Sequence, residues 1–212
     1  MQIQKSRRHS LLISLVLAAA TSGSALADPV VEQINQALEL YESQEYGAAI
    51  TELEFAVNDM RKLLSEGIAA TFPDPPEGWS AMAVDASSES SGAAALFGGS
   101  MGTTLDRQYT EDEGSGTLTA TLTMDNPMVQ GMAALFNNPA MLAAQPNVER
   151  LRIGRESGML KWEPESSRAE ATLMLDGRIM MQVVGENLES PNIAGDLLKA
   201  WDIKAVREQS AR

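Results

Sequence analysis

The sequence predicts an α+β fold: an N-terminal helical hairpin, then an antiparallel sheet domain with one short Met-rich helix and a C-terminal helix. Three observations lead there. Apolar residues recur at helical spacing between Val31 and Thr71. Three prolines (Pro73, Pro75 and Pro76) then interrupt the chain. Beyond them, Thr117 to Met124 alternates strictly between threonine and apolar residues. Apolar spacing near 3.6 residues marks an amphipathic helix, and a period of two marks a half-buried strand of an antiparallel sheet.

Residues 1–27 read as an export signal. Lys5, Arg7 and Arg8 form a basic start without acids, Leu11 to Ala20 is a short apolar run, and Ala25-Leu26-Ala27 supplies the small residues that signal peptidase reads. Ten such residues cannot cross roughly 30 Å of hydrocarbon, which takes about 20, so cleavage before Asp28 is expected rather than a retained anchor. Ser6-Arg7-Arg8-His9-Ser10-Leu11 is similar to a twin-arginine export motif, but departs from it at Ser10 and Leu12. Its apolar run also exceeds what such signals carry, so ordinary unfolded export is the expectation. The destination is the periplasm, and the exported chain has no further stretch apolar enough to span a membrane.

Cleavage leaves 185 residues, enough for a domain that buries about 70% of its unfolded surface. The chain has no cysteine, so no disulfide framework holds it. Three of the 16 basic residues and none of the 29 acids lie in the signal, which gives the exported form a net charge of −16. Phosphate backbones and anionic membrane surfaces are bound through Lys and Arg, so nucleic acid is not an expected partner. The one histidine, His9, also lies in the signal. Imidazole and thiolate metal sites, and Ser-His-Asp or Cys-His nucleophiles, are thereby excluded from the exported chain. Carboxylate pairs, a Ser-Lys dyad or oxygen-ligated metal are the chemistries left.

Residues 28–72 form the hairpin. Ile34, Leu38 and Tyr41, then Ile50, Leu53, Val57, Met60 and Leu64, follow helical spacing across a break at Gln44 to Gly47. Ala37, Tyr41, Tyr46, Ala49, Ile50, Leu53 and Ala56 stand at the packing positions of one tetratricopeptide-type repeat, which the hairpin resembles. Repeat arrays need three or more copies to bury a continuous core, so a lone copy implies a packed hairpin, with Ala49 at the crossing. Pro73 to Trp79 ends it, since proline cannot continue a helix. Trp79 is expected to anchor the second unit, residues 73–212.

That unit reads as strands at Gly102 to Tyr109, Thr117 to Met124, Val148 to Ile153, Met159 to Trp162, Arg168 to Leu175 and Arg178 to Val184. The acidic turn at Glu111 and the Asp176-Gly177 hairpin signal connect two pairs of them. A final helix is expected over Ile193 to Arg207, capped by Ser190 or Asn192, with Leu197, Leu198 and Trp201 facing the core. Pro73 to Trp79, the Gly/Ala-rich stretch 92–102 and Asp125 to Met132 together resemble a group of proteobacterial exported proteins of unknown function. A weaker similarity is to small sandwich domains of the PsbP and Mog1 type, which implies partner binding. Neither resemblance implies a catalytic activity.

Eleven methionines lie beyond the signal, against four phenylalanines in the whole chain. From Asn126 to Asn147 there is no charge, and Pro127 suits the first turn of a helix. Met128, Met132, Leu135 and Phe136 follow at i, i+4, i+7 and i+8, a single apolar face able to repack around a partner or hydrophobic ligand. These four are the candidate binding residues. The acidic turn lacks calcium-loop spacing, Gly98 to Gly102 lacks the Lys-Ser/Thr of a phosphate loop, and no Ser-x-x-Lys opens a helix. No catalytic residue, metal ligand or cofactor is assigned. The expected function is a periplasmic, non-catalytic binding or scaffold protein. Its alternatives are a carrier of lipid or another hydrophobic ligand, and a hydrolase using carboxylates or a Ser-Lys dyad. N-terminal sequencing of the exported protein should begin at Asp28; a chain still starting at Met1 or within the apolar run would refute the signal assignment.

Overall fold

The computed structural model describes residues 28–86, 102–136 and 146–211. Ala25, Ala27 and the Gly/Ala-rich stretch up to Met101 lie outside the described residues. The first helix, α1, spans Pro29–Glu42, with Pro29 in the first turn and Asp28 as its cap: Asp28 Oδ1 accepts from Val30 N at 3.0 Å. The chain reverses through Gln44, whose φ of 65° is left-handed, into α2, Tyr46–Ala69. The helices meet through small residues, and Ala37, Ala49 and Ala56 are all buried.

Among the described residues, eight short or long strands make one antiparallel sheet: β1 (Trp79–Ala81), β2 (Asp85–Ala86), β3 (Thr103–Glu111), β4 (Thr117–Met124), β5 (Val148–Ile153), β6 (Glu156–Glu163), β7 (Arg168–Leu175) and β8 (Ile179–Glu186). Their order is β1-β3-β4-β8-β7-β6-β5, with β2 also on β3. The meander β5 to β8 therefore closes back onto β4, from Thr117↔Glu186 to Met124↔Ile179. The α+β reading thus holds. β4, β5 and β7 lie where the sequence puts them. β6 starts three residues earlier than expected because Gly154, with φ of 59°, and Arg155 make a two-residue turn closed by Ile153↔Glu156. Asp176 and Gly177 both take positive φ, as a tight hairpin requires, but pairing resumes at Ile179 and leaves Arg178 in the turn. Gly102 is obligatory where it stands: its φ is 83°, and a Cβ there would lie 2.2 Å from the Met124 carbonyl oxygen.

Between β4 and β5 lies α3, Pro127–Phe136. The expected single C-terminal helix is instead two, α4 (Asn192–Ala200) and α5 (Ile203–Ser210). Trp201 is extended, and Asp202 Oδ1 accepts from Ala205 N at 3.0 Å, so the aspartate caps a new helix instead of continuing the old one. Ser190 Oγ accepts from Asn192 N at 3.3 Å ahead of α4.

The core lies between one sheet face and the end of α2, α4 and α5. Leu105, Tyr109, Leu118, Leu122 and Met181 from the strands meet Ile68, Phe72, Leu197, Leu198 and Trp201 from the helical side. Trp79 packs against this core from its rim, half-buried, and not within it. Thr123, Thr172 and Met174 on the other sheet face are also buried, outside the main cluster. Two arginines tie α5 to the sheet. Arg207 reaches Asp176 at 3.0 Å and Glu156 at 2.8 Å, and these bonds raise its pKa further. Arg178 donates to Asp125 at 2.9 Å and to the Ser210 carbonyl at 2.8 Å.

Tyr109, only 1% exposed, donates its hydroxyl to the Pro73 carbonyl at 2.8 Å. Burial pushes its pKa up to about 12, although the Arg107 guanidinium acts in the opposite direction. An acid with a raised folded pKa ionises first in the unfolded chain. Its contribution is therefore intact below pH about 10 and is lost as pH rises through 12, a change of about 2–3 kcal/mol. Urea unfolding at stepped pH should show the stability gap between wild type and Tyr109→Phe closing over that interval; parallel curves would contradict it.

Candidate functional site

The methionine helix is built as its sequence suggests at its start. Asn126 Oδ1 accepts from Met128 N at 2.8 Å, and Pro127 occupies the first turn. Asn126 is thus the cap, while Asp125, with φ of 56°, is held in the ion pair with Arg178. Val129 is 3% exposed whereas Met128 is 75% exposed, and Met132 is half-buried. Successive helical residues point about 100° apart, so the covered stripe runs through Val129 and turns Met128 to solvent. The side chains of Leu135 and Phe136, and residues 137–145, lie outside the described residues. Met128 therefore faces solvent, while Met132 is partly covered.

Among the described residues, the larger apolar surface is on the hairpin. Ile34, Leu38 and Tyr41 line one wall of an open groove of 410 Å³, Tyr46, Ile50 and Leu53 line the other, and Ala37 and Ala49 form its floor. The six large side chains are each between 41% and 62% exposed. On each helix the alanine is one turn or one step from its large neighbours: Ala37 beside Ile34 and Leu38, Ala49 beside Tyr46 and Ile50. Close approach at the alanines turns both sets of large residues toward the same open side. Tyr41 and Tyr46 close the loop end, with ring centroids 5.6 Å apart. Val57 and Met60 continue the exposed stripe along α2. Sequence reading found these positions but assigned them to packing within the hairpin; the spacing was the signal, and it does not say what covers the stripe.

Several charged groups elsewhere have local partners. In the acidic turn, Glu111 accepts from Gly116 N at 3.1 Å and Asp112 accepts from the Ser80 hydroxyl. Among the described residues no three carboxylates converge as a metal site needs. Lys161 bonds Glu163 at 2.6 Å and thereby lowers that carboxyl's pKa; Lys199 and Lys204 pair with Asp196 and Glu208. No helix among the described residues is long and apolar enough to cross a membrane.

No protein-family model, curated protein or solved structure matches the chain.

The position of Val129 makes α3 testable. Val129→Asp buries an unpaired carboxylate and should cost roughly 3 kcal/mol or more, while Met128→Asp should stay within about 0.5 kcal/mol of wild type. Thermal unfolding followed by circular dichroism separates them, and equal losses would mean that Val129 is not the covered side of the helix.

Proposed function

We propose that the chain is an exported, non-catalytic binding protein that engages a protein partner through the apolar groove of its N-terminal hairpin. The observation that carries this reading is the groove itself. Six large apolar side chains stand substantially exposed on two adjoining helices, over a floor of alanines. Contiguous exposed apolar surface on a protein marks an interaction site, because leaving it in water gives up burial that the fold could otherwise have gained. The methionine helix, with Met128 largely in solvent and Met132 half-buried, is the secondary surface of this reading.

The groove is open along its length, which suits a protein segment better than a lipid tail that must be enclosed. The export signal supports the periplasm as the place where the partner is met. A photo-crosslinking residue placed at Ile50 in living cells should yield a discrete protein adduct. With the crosslinker kept at Ile50, the double variant Leu38→Gln, Leu53→Gln should lose that adduct with stability within about 0.5 kcal/mol of wild type, since both sites are exposed. Crosslinks to lipid alone would favour the hydrophobic-ligand carrier, and crosslinks to nothing would end the binding reading.

A further inference from the structure

We infer that the occupant of the hairpin groove is a cationic amphipathic helix presented by the partner. This rests on the binding reading above and adds the chemistry of what binds. Shape comes first. Each wall spans eight residues of helix, Ile34 to Tyr41 and Tyr46 to Leu53, or about 10 Å along the axis. A groove between two helices with apolar walls and a small-residue floor accepts the i, i+3, i+4, i+7 face of a third helix laid along it.

Charge selects among such helices. From Asp28 to Met60 the hairpin carries eight acids and neither Lys nor Arg. Among the described residues none of the eight is in an ion pair. Glu42 lies four residues beyond Leu38, and Glu54 four beyond Ile50, so each wall is prolonged by a carboxylate on the same helical row. Both are exposed. An incoming helix with lysines or arginines flanking its apolar stripe meets this rim with opposite sign. A second copy of the chain would instead bring two such acidic groove segments together, and like charges set face to face oppose association. An anionic lipid surface would be repelled in the same way.

The test uses the purified exported protein and three labelled peptides of roughly five helical turns. One has leucine at i, i+3, i+4 and i+7 with lysine elsewhere, one replaces lysine with glutamate, and one scrambles the lysine peptide so that no apolar face forms. Fluorescence anisotropy should show the lysine peptide binding at least about tenfold tighter than either control, with affinity falling as salt rises. Leu38→Gln, Ile50→Gln should abolish this preference over the scrambled peptide without changing the protein's charge. Glu42→Lys, Glu54→Lys should shift preference toward the glutamate peptide. Equal binding of lysine and scrambled peptides, or of lysine and glutamate peptides, would overturn the inference. So would a dimer in sedimentation that Leu38→Gln, Ile50→Gln dissolves, because it makes a second copy the occupant. The two readings fail separately: a protein adduct at Ile50 without the peptide preference removes only the cationic helix, while no protein adduct removes the binding reading beneath it.

Discussion

The chain must pass from a long helix into a sheet at residues 68 to 73, and the polar groups of that passage are buried. Thr71 Oγ1 donates to the Ile68 carbonyl at 2.7 Å and accepts from the Trp201 indole N–H at 3.2 Å. Two residues on, the Pro73 carbonyl accepts from Tyr109 at 2.8 Å and from Arg107 at 3.0 Å. Phe72 lies between, its ring 4.4 Å from that of Trp201. A buried polar group left without a partner costs about 1–3 kcal/mol, so this chain of bonds admits little movement. It fixes the end of α2 against β3 and against the link between α4 and α5 at once. Where the hairpin projects from the sheet follows from that one junction.

The two ends of α2 consequently do different things. Its C-terminal end contributes Ile68 to the core, with Leu64 and Ala69 packed against it. Its N-terminal stretch is buried only at Ala49 and Ala56, against α1. Alanines at the contact let the two helix axes come close, and closeness at that line swings the leucines, isoleucines and tyrosines out of it. The exposure of the groove is therefore a geometric consequence of which positions are small. Had the large residues occupied the alanine positions, they would have filled the contact between the helices, and no groove would remain.

The elements with unambiguous period were legible in the sequence. The threonines of β4 repeat every second residue, so only one face can be apolar, and the structure buries Leu118, Ala120, Leu122 and Met124 on it. The prolines after Phe72 end the hairpin because they cannot donate backbone bonds. α3 was harder for a physical reason. Pro127–Phe136 is apolar almost all round, so its period identifies a helix without choosing between Val129 and Met128 as the covered side. The division of the last helix turned on one aspartate, Asp202, whose capping role competes with helix continuation and is invisible to periodicity. The junction bonds were beyond reach altogether, since Thr71 and Trp201 stand 130 residues apart. The groove falls in a different class: its residues were all named, but a stripe of apolar residues looks the same whether a core or a solvent-facing surface lies over it.

That ambiguity bears on how the hairpin behaves. A helix of about 12–15 residues is marginal in water without packing, and α1 has 14 residues, of which only Val30 and Ala37 are buried. Its order depends on α2, which in turn is held at the far end by the junction. The sheet domain has no such dependence, since its core is complete without any residue of α1. A partner lying in the groove would cover the large side chains of both helices together and so stabilise α1 in proportion to its own occupancy. Ordering of α1 and binding of the partner are then coupled, while the sheet remains folded through either state. Two tiers of stability on one chain follow: a core anchored by Trp201 and Tyr109, and an apolar arm whose large side chains stay exposed unless a partner covers them.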